Sequence, residues 1–225
     1  MEAALQVIDL TKTYPGFKLD HVSFTLPQGA VMGLIGENGA GKSTTIKAIL
    51  DLIRKDDGTV TFWGRKLSES KQLKEDIGVV FGQGNFYETL TPTQIGSISA
   101  AAYTQWDQAT YEGYLTRFQL PKDKVLKTFS NGMRTKLGIA VALSHHPKLL
   151  ILDEATSALD ARTEYEVVRS INERGITCIV VAHRLSTIRD CDEIIVLDHG
   201  KVTERGTHEE LYALGGAYTR LISNE

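Results

Sequence analysis

The sequence predicts an α/β fold with a mainly parallel central sheet. Strand-like apolar runs recur along the chain, helix-forming stretches separate them, and a glycine-rich loop joins one strand to a helix. Because these runs contain few polar residues, we expect strands that are buried on both faces and covered by helices. The runs occupy residues 30–35, 77–81, 149–152, 176–182 and 194–197.

An antiparallel β-subdomain is predicted at the N-terminus, ahead of this sheet. Residues 5–10 and 22–26 have the apolar patterns of strands, and Pro15-Gly16 is typical of a turn between them. A second turn, at residues 27–29, leads into the first buried strand.

A helical subdomain is predicted within the core. From about 88 to 146 the pattern indicates mostly helices and no strand, with breaks at Pro92 and at residues 121–123. We therefore expect a single domain, in which residues 1–87 and 147–225 form the α/β core with its β-subdomain and about 88–146 form the insertion.

Composition excludes several classes of protein. The chain has 225 residues, and 25 basic residues balance 28 acidic ones, so we expect no nucleic acid partner. Cys178 and Cys191 lack the spacing of a disulfide framework or a zinc site. No apolar run reaches the roughly 18 residues of a membrane span, and the N-terminus does not resemble a secretory signal. We expect a cytoplasmic protein.

A phosphate-binding loop is the clearest motif. Residues 36–44 fit G-x-x-x-x-G-K-[ST] and stand between a strand and a helix, as in a P-loop NTPase. Small residues let backbone N–H groups converge on phosphate oxygens, and the helix adds the positive end of its dipole. Lys42 is expected to bridge the β- and γ-phosphates, and Ser43 to ligate Mg²⁺. The predicted nucleotide-binding residues here are Gly36, Asn38, Gly39, Ala40, Gly41, Lys42, Ser43 and Thr44.

Two carboxylates follow a second buried strand, residues 149–152. An Asp-Glu pair after a strand is common on protein surfaces, but the phosphate loop favours a catalytic interpretation at this edge of the sheet. Asp153 is then predicted to lie in the Mg²⁺ shell, and Glu154 to polarise the attacking water.

These motifs resemble the nucleotide-binding domains of ABC transporters, and further segments fit the family's order. Tyr14 is similar to the aromatic residue that stacks on adenine. Residues 130–133, Ser-Asn-Gly-Met, resemble the signature Ser-Gly-Gly-Gln, which contacts the γ-phosphate of ATP bound to the opposite subunit. Ser130 and Gly132 are kept, whereas Asn131 and Met133 depart from the signature and put its affinity or rate in question.

Three other segments fit the resemblance. His183, after the strand ending near residue 182, is similar to the switch histidine that contacts the γ-phosphate and positions water. Residues 157–160 resemble the D-loop, although Ser157 or Asp160 also suits an ordinary helix N-cap. Gln83 is the candidate for the glutamine that links magnesium to the membrane partner, although strict counting places Gly82 there.

The resemblance implies an ATPase with ATP and Mg²⁺ as cofactors. Two chains would form a head-to-tail homodimer in the presence of ATP, each with catalytic residues Lys42, Glu154 and His183 and with Ser130 serving the opposite site. The helical subdomain and the region of Gln83 would contact a transmembrane permease absent from this sequence. The chain would then reach the cytoplasmic face of the membrane only through that permease.

The two ends of the chain resemble different branches of the family. Residues 1 to about 156 are similar to stand-alone bacterial ATPase subunits, whereas about 157–225 are similar to exporters whose ATPase is fused to its membrane domain, including peptide and bacteriocin exporters. The split suggests an engineered or recombined chimera, with natural divergence as the alternative.

Other functions stay open at this point. As a chimera, the chain could be a nucleotide-binding module with no cognate transporter and weak or no ATPase activity. A soluble ABC ATPase of repair or translation usually has a second ATPase domain or a long coiled-coil insert, and neither is evident. A P-loop kinase would leave the signature segment unexplained.

Overall fold

The computed structural model describes residues 2–82, 86–153, 155, 159–160, 163, 167, 170–171, 174–181 and 188–223. These residues form two compact units, the first made of Met1–Lys74 and Thr177–Glu225 and the second of Glu75–Ile176. The strands are β1 (Ala3–Tyr14), β2 (Phe17–Pro27), β3 (Val31–Ile35), β4 (Asp57–Phe62), β5 (Ile77–Phe81), β6 (Leu149–Asp153), β7 (Thr177–Val181), β8 (Glu193–Asp198) and β9 (Lys201–Gly206). The helices are α1 (Lys42–Ile49), α2 (Lys71–Glu75), α3 (Pro92–Ala102), α4 (Gln108–Arg117), α5 (Asn131–Ser144), α6 (His208–Leu214) and α7 (Ala217–Ser223).

The first unit contains an antiparallel sheet with the order β2-β1-β4. Strands β1 and β2 pair from Ala3 opposite Pro27 to Tyr14 opposite Phe17, so the hairpin turns at Pro15-Gly16 as predicted. Both strands are longer than the apolar runs that predicted them. The pattern missed the strand ends because these carry polar and half-exposed residues. The N-terminal antiparallel subdomain is confirmed.

A second sheet of the first unit is mainly parallel. Strand β3 lies between β7 and β8 and runs parallel to both, while β9 pairs with β8 in the antiparallel direction. Every residue of β7 is buried, and the residues of β3 are buried or half-buried. This confirms the predicted parallel core, whereas β9 was not predicted because its residues alternate between exposed and half-buried positions.

Both cysteines are buried in the first unit. Cys178 lies in β7, and the Cys191 sulfur lies 3.5 Å from the position of a Cβ built on Gly33 in β3. Burial raises the pKa of the Cys178 thiol and raises that of Cys191 to about 12. Both side chains therefore act as small apolar core groups.

The second unit combines two parallel strands with helices. Strand β5 pairs with β6 from Ile77 opposite Leu149 to Phe81 opposite Asp153. Helices α3, α4 and α5 follow within the stretch predicted to be helical. Pro92 does not interrupt a helix but is the first residue of α3, where its missing N–H costs nothing, and Thr91 caps the helix by accepting from Gln94 N.

None of the helices that the structure describes combines the length and the apolar content of a membrane span. The longest, α5, has 14 residues.

Two helical glycines provide a test of packing between α3 and α4. A Cβ on Gly96 would lie 2.7 Å from the ring of Tyr111, which is buried and donates through its hydroxyl to Pro92 O. Gly113 is exposed, and a Cβ there would meet no atom within 4 Å. Gly96→Ala should lower the free energy of unfolding by about 1–3 kcal/mol through overpacking. Gly113→Ala should raise it by about 0.5–1 kcal/mol through helix propensity.

Urea denaturation of both variants beside the wild type measures the two changes in the free energy of unfolding. Equal shifts, or a stable Gly96→Ala variant, would contradict the close packing of α3 on Tyr111.

Candidate functional site

The phosphate loop joins β3 to α1 and needs glycine at three positions. Gly36, Gly39 and Gly41 have φ values of 155°, 85° and 108°, in the region that disfavours side chains. A Cβ on Gly36 would also lie 2.2 Å from Leu197 O. The loop therefore follows this path because these three positions carry no side chain. The missing side chains also leave room for phosphate oxygens beside the backbone N–H groups.

Lys42 begins α1 and folds back into the loop. The residue is only 4% exposed, and Nζ donates to Gly36 O at 2.8 Å and to Glu37 O at 3.1 Å. The N-cap, Gly41, has no side chain with which to cap α1, so the first backbone amides of the helix face the loop. The loop thus combines a fixed ammonium with the positive end of a helix, the combination that suits phosphate.

Three hydroxyl residues follow Lys42, and the first two are partly accessible. Ser43 and Thr44 are half-buried, whereas Thr45 is buried and its hydroxyl donates to Gly41 O at 2.9 Å. Thr45 therefore ties the start of α1 to the loop. Ser43 offers an oxygen of the kind that Mg²⁺ prefers.

The turn between β8 and β9 supports the loop from behind. Gly200 N donates to Ala40 O at 3.0 Å, and Asp20 N donates to Gly200 O at 2.8 Å. Gly200 has φ of 78°, and a Cβ there would lie 1.9 Å from Lys18 O. No motif pointed to this contact, although the Asp-His-Gly sequence at 198–200 is a recognisable turn signal.

Charged side chains hold β2 to this turn. The Asp20 carboxylate lies 2.6 Å from Lys18 Nζ and 3.2 Å from Lys201 Nζ, and it also contacts His21. The hydrogen bonds from Lys18, His21 and Lys201 hold the pKa of Asp20 well below its usual range. Asp20 thus stays ionised at neutral pH and links β2 to the turn that supports Ala40.

Tyr14 lies at the end of β1 and is 40% exposed. Its partner across the hairpin is Phe17, and a Cβ on Gly41 would lie 2.9 Å from Phe17 Cζ. The tip of the hairpin therefore packs against the phosphate loop. An exposed aromatic ring at this tip is suitably placed for a base whose phosphates lie in the loop.

In the second unit, the predicted magnesium ligand Asp153 ends β6 and is 6% exposed. Gly82, just after β5, donates its N–H to Asp153 O at 2.9 Å and accepts at its carbonyl from Thr135 Oγ1 at 3.1 Å. The carboxyl ends of two parallel strands therefore meet at Asp153, where ligands of α/β proteins bind. A carboxylate at this position fits the oxygen chemistry of Mg²⁺.

The signature segment forms the N-terminus of α5. Ser130 is the N-cap, is exposed, and accepts from Met133 N at 3.2 Å, while Asn131 and Gly132 open the helix. At Met133 it is the backbone that forms the capping bond, so this local structure does not need the glutamine of the family signature.

A family comparison supports the interpretation of these motifs. The model of the ABC transporter family matches residues 19–157, more than half of the chain. The chain belongs to the ABC transporter family. Members of this family bind ATP, usually with Mg²⁺, and use its hydrolysis for transport, so the chain is an ABC-type ATP-binding domain.

Curated relatives in the family are longer proteins. The chain is 37% identical over 234 aligned positions to an ATP-dependent lipid A-core flippase of Aromatoleum aromaticum, covering 96% of the chain and 39% of the relative. The flippase of Vibrio cholerae is 35% identical, with 96% and 40% covered. The chain thus spans about two-fifths of the length of these relatives.

Solved structures of two kinds share the ABC ATPase fold. An ATP-binding subunit of an ABC transporter is 28% identical with a TM-score of 0.84, covering 97% of this chain and 99% of that one. A bacterial Atm1-family ABC exporter with ATP bound is 26% identical with a TM-score of 0.85, covering 96% and 41%. Each structure covers nearly the whole chain, so these comparisons leave the division of the chain between two branches a prediction.

The segment that resembles the D-loop, residues 157–160, is described only at residues 159 and 160. Asp160 accepts from the backbone N–H of Thr163 at 2.9 Å, as a helix N-cap does, and from Lys136 Nζ at 2.8 Å. The Lys136 hydrogen bond, followed by those from Thr163, lowers the pKa of Asp160. Because Lys136 belongs to α5, this ion pair connects the D-loop segment with the signature helix.

The predicted site residues divide into three groups. The first unit carries Tyr14 and the residues of the phosphate loop, and the second carries Ser130, Gly132 and Asp153. Gln83, Glu154, Ser157 and His183 lie outside the described residues.

Proposed function

We propose that this chain hydrolyses ATP as a head-to-tail dimer and thereby powers a membrane permease. The observation that supports this most is the Lys42 ammonium held at the start of α1, inside a loop whose glycines leave the backbone open. Such a loop recognises a nucleotide through its phosphates, and membership of the ABC family favours hydrolysis over binding alone.

In this proposal each chain contributes most of one site. Tyr14 stacks on the base, the phosphate loop and Lys42 hold the β- and γ-phosphates, and Ser43 and Asp153 hold Mg²⁺. The bound ion would neutralise charge on the phosphates.

Hydrolysis needs groups that position water and stabilise the phosphoryl group. Glu154 polarises the attacking water, and His183 contacts the γ-phosphate. Ser130 and Gly132 of the opposite chain complete the site through the hydroxyl and the helix N-terminus. Little covalent work is left for the protein, because phosphoryl transfer proceeds through a loose transition state.

We also propose a single domain with a helical subdomain at about 88–146, which contains α3, α4 and α5. This subdomain and the region of Gln83 would contact the permease at the cytoplasmic face of the membrane. The chain matches about two-fifths of each lipid A-core flippase, so the remainder of such a relative is where a membrane domain would lie.

Glu154→Gln tests the catalytic assignment. The amide keeps the shape of the side chain but cannot accept a proton, so phosphate release should fall about 10²- to 10⁴-fold while ATP still binds. In size-exclusion chromatography with ATP, this variant should run as a dimer. Wild-type turnover in Glu154→Gln, or a monomer with ATP bound, would contradict the proposal. Glu209→Gln, an exposed change on α6, is the control for charge.

Mixing two inactive variants tests the composite site. Ser130→Asp keeps an N-cap on α5 but places a carboxylate beside the γ-phosphate, and Lys42→Ala removes the ammonium from the other half of the site. Each variant alone should lack turnover. A mixed dimer has one site in which Lys42 and Ser130 are both intact, so an equal mixture should recover roughly a quarter of wild-type turnover if the sites act independently.

Thermal unfolding of each variant shows whether it is folded. No recovery in a mixture of two folded variants that form mixed dimers would exclude a site shared between chains.

A further inference from the structure

A lysine occupies one face of the exposed tyrosine at the tip of the first hairpin. The Lys12 ammonium lies 5.3 Å from the centroid of the Tyr14 ring, within the range of a cation–π interaction. The two residues are two apart on β1, so their side chains point to the same side of the strand. Tyr14 is 40% exposed, whereas the Lys12 side chain is 17% exposed.

Asp56 fixes this lysine in place. Its Oδ1 lies 2.9 Å from Lys12 Nζ, and its Oδ2 accepts from Thr13 N at 2.7 Å. The backbone N–H of Asp56 donates in turn to Thr11 O at 2.9 Å. One carboxylate thus holds the ammonium and the backbone of the residue before Tyr14.

The charge state of Asp56 supports the same arrangement. The hydrogen bond from Lys12, followed by that from Thr13 N, lowers the pKa of the Asp56 carboxyl from its ordinary value. The carboxylate is therefore ionised at neutral pH, so the Lys12 ammonium has a charged partner in addition to the Tyr14 ring.

We propose that Lys12, held by Asp56, is a positioning residue for the nucleobase: it covers one face of Tyr14, fixes the ring, and leaves the opposite face for stacking. This inference rests on the proposed role of Tyr14 in binding ATP. A ring that is already fixed loses less conformational entropy when a base stacks on it, so Lys12 should raise the affinity for the base. The phosphates, bound in the loop, are not affected.

Two ligands, one with a base and one without, distinguish the contribution of the base to affinity from that of the phosphates. Isothermal titration with Mg-ATP and with inorganic tripolyphosphate in Mg²⁺ should be carried out on the wild type, Lys12→Met and Lys12→Arg. Lys12→Met should weaken ATP binding about two- to fivefold and leave tripolyphosphate binding unchanged. Lys12→Arg keeps the cation and should bind ATP as the wild type does.

Lys55→Met is the matched control. Lys55 lies 3.7 Å from Asp51, so this variant also removes one lysine charge and one lysine–aspartate pair. It should bind both ligands as the wild type does.

A double-mutant cycle shows whether Lys12 acts through the ring. In a Tyr14→Ala background, Lys12→Met should cause no further loss of ATP affinity. An equal loss of ATP affinity with and without Tyr14, equal weakening of the binding of both ligands, or no effect of Lys12→Met would overturn the inference.

Thermal denaturation shows whether Lys12→Met is folded. If it is not, a loss of ATP affinity in folded Lys12→Arg decides against the inference. A wild type that binds neither ligand would instead contradict the proposed function.

Discussion

The site depends on how the Lys42 ammonium is held. A buried charge is tolerated in a protein only if polar groups surround it, and here the carbonyls of Gly36 and Glu37 accept from Nζ. These carbonyls turn toward the ammonium because the loop follows a path through positive φ at its glycines. The position of the buried lysine at the start of α1 therefore depends on the glycines of the loop.

Two other parts of the first unit maintain that path. The turn between β8 and β9 bonds to Ala40, and Asp20 connects this turn to β2 through backbone and charged contacts. Phe17, at the start of β2, packs beside Gly41 and pairs with Tyr14. The β1–β2 hairpin thus has two tasks, because it supports the phosphate loop and carries the aromatic ring proposed to stack on the base.

Local patterns predicted the parts of the molecule that local physics determines. The phosphate loop, the buried strands β3, β5, β6, β7 and β8, and the helical stretch each show their pattern within a few consecutive residues. Strands β4 and β9 were not predicted, because half-exposed polar residues lack the apolar run of a buried strand. Pro92 was interpreted as a break, although Thr91 before it and Gln94 after it form a capping box.

Contacts between distant residues could not be predicted in this way. Gly200 forms a hydrogen bond with Ala40, and Lys12 forms one with Asp56. Both bonds form only because the sheets bring together residues that are far apart in the chain. Nothing in the sequence near Tyr14 shows that a lysine will lie over its ring and not point into solvent. The sequence therefore indicated the candidate binding residues, and the structure added the residues that contact them.

Calorimetric titration of the wild-type chain with ATP, ADP and AMP in Mg²⁺ tests most directly whether the loop binds through the outer phosphates. ATP and ADP should bind, and AMP should bind about a hundredfold or more weakly, since it lacks the phosphates that would accept charge-assisted hydrogen bonds from Lys42 and the loop amides. Equal affinity for AMP and ATP would show that Lys42 and its loop are not the phosphate site.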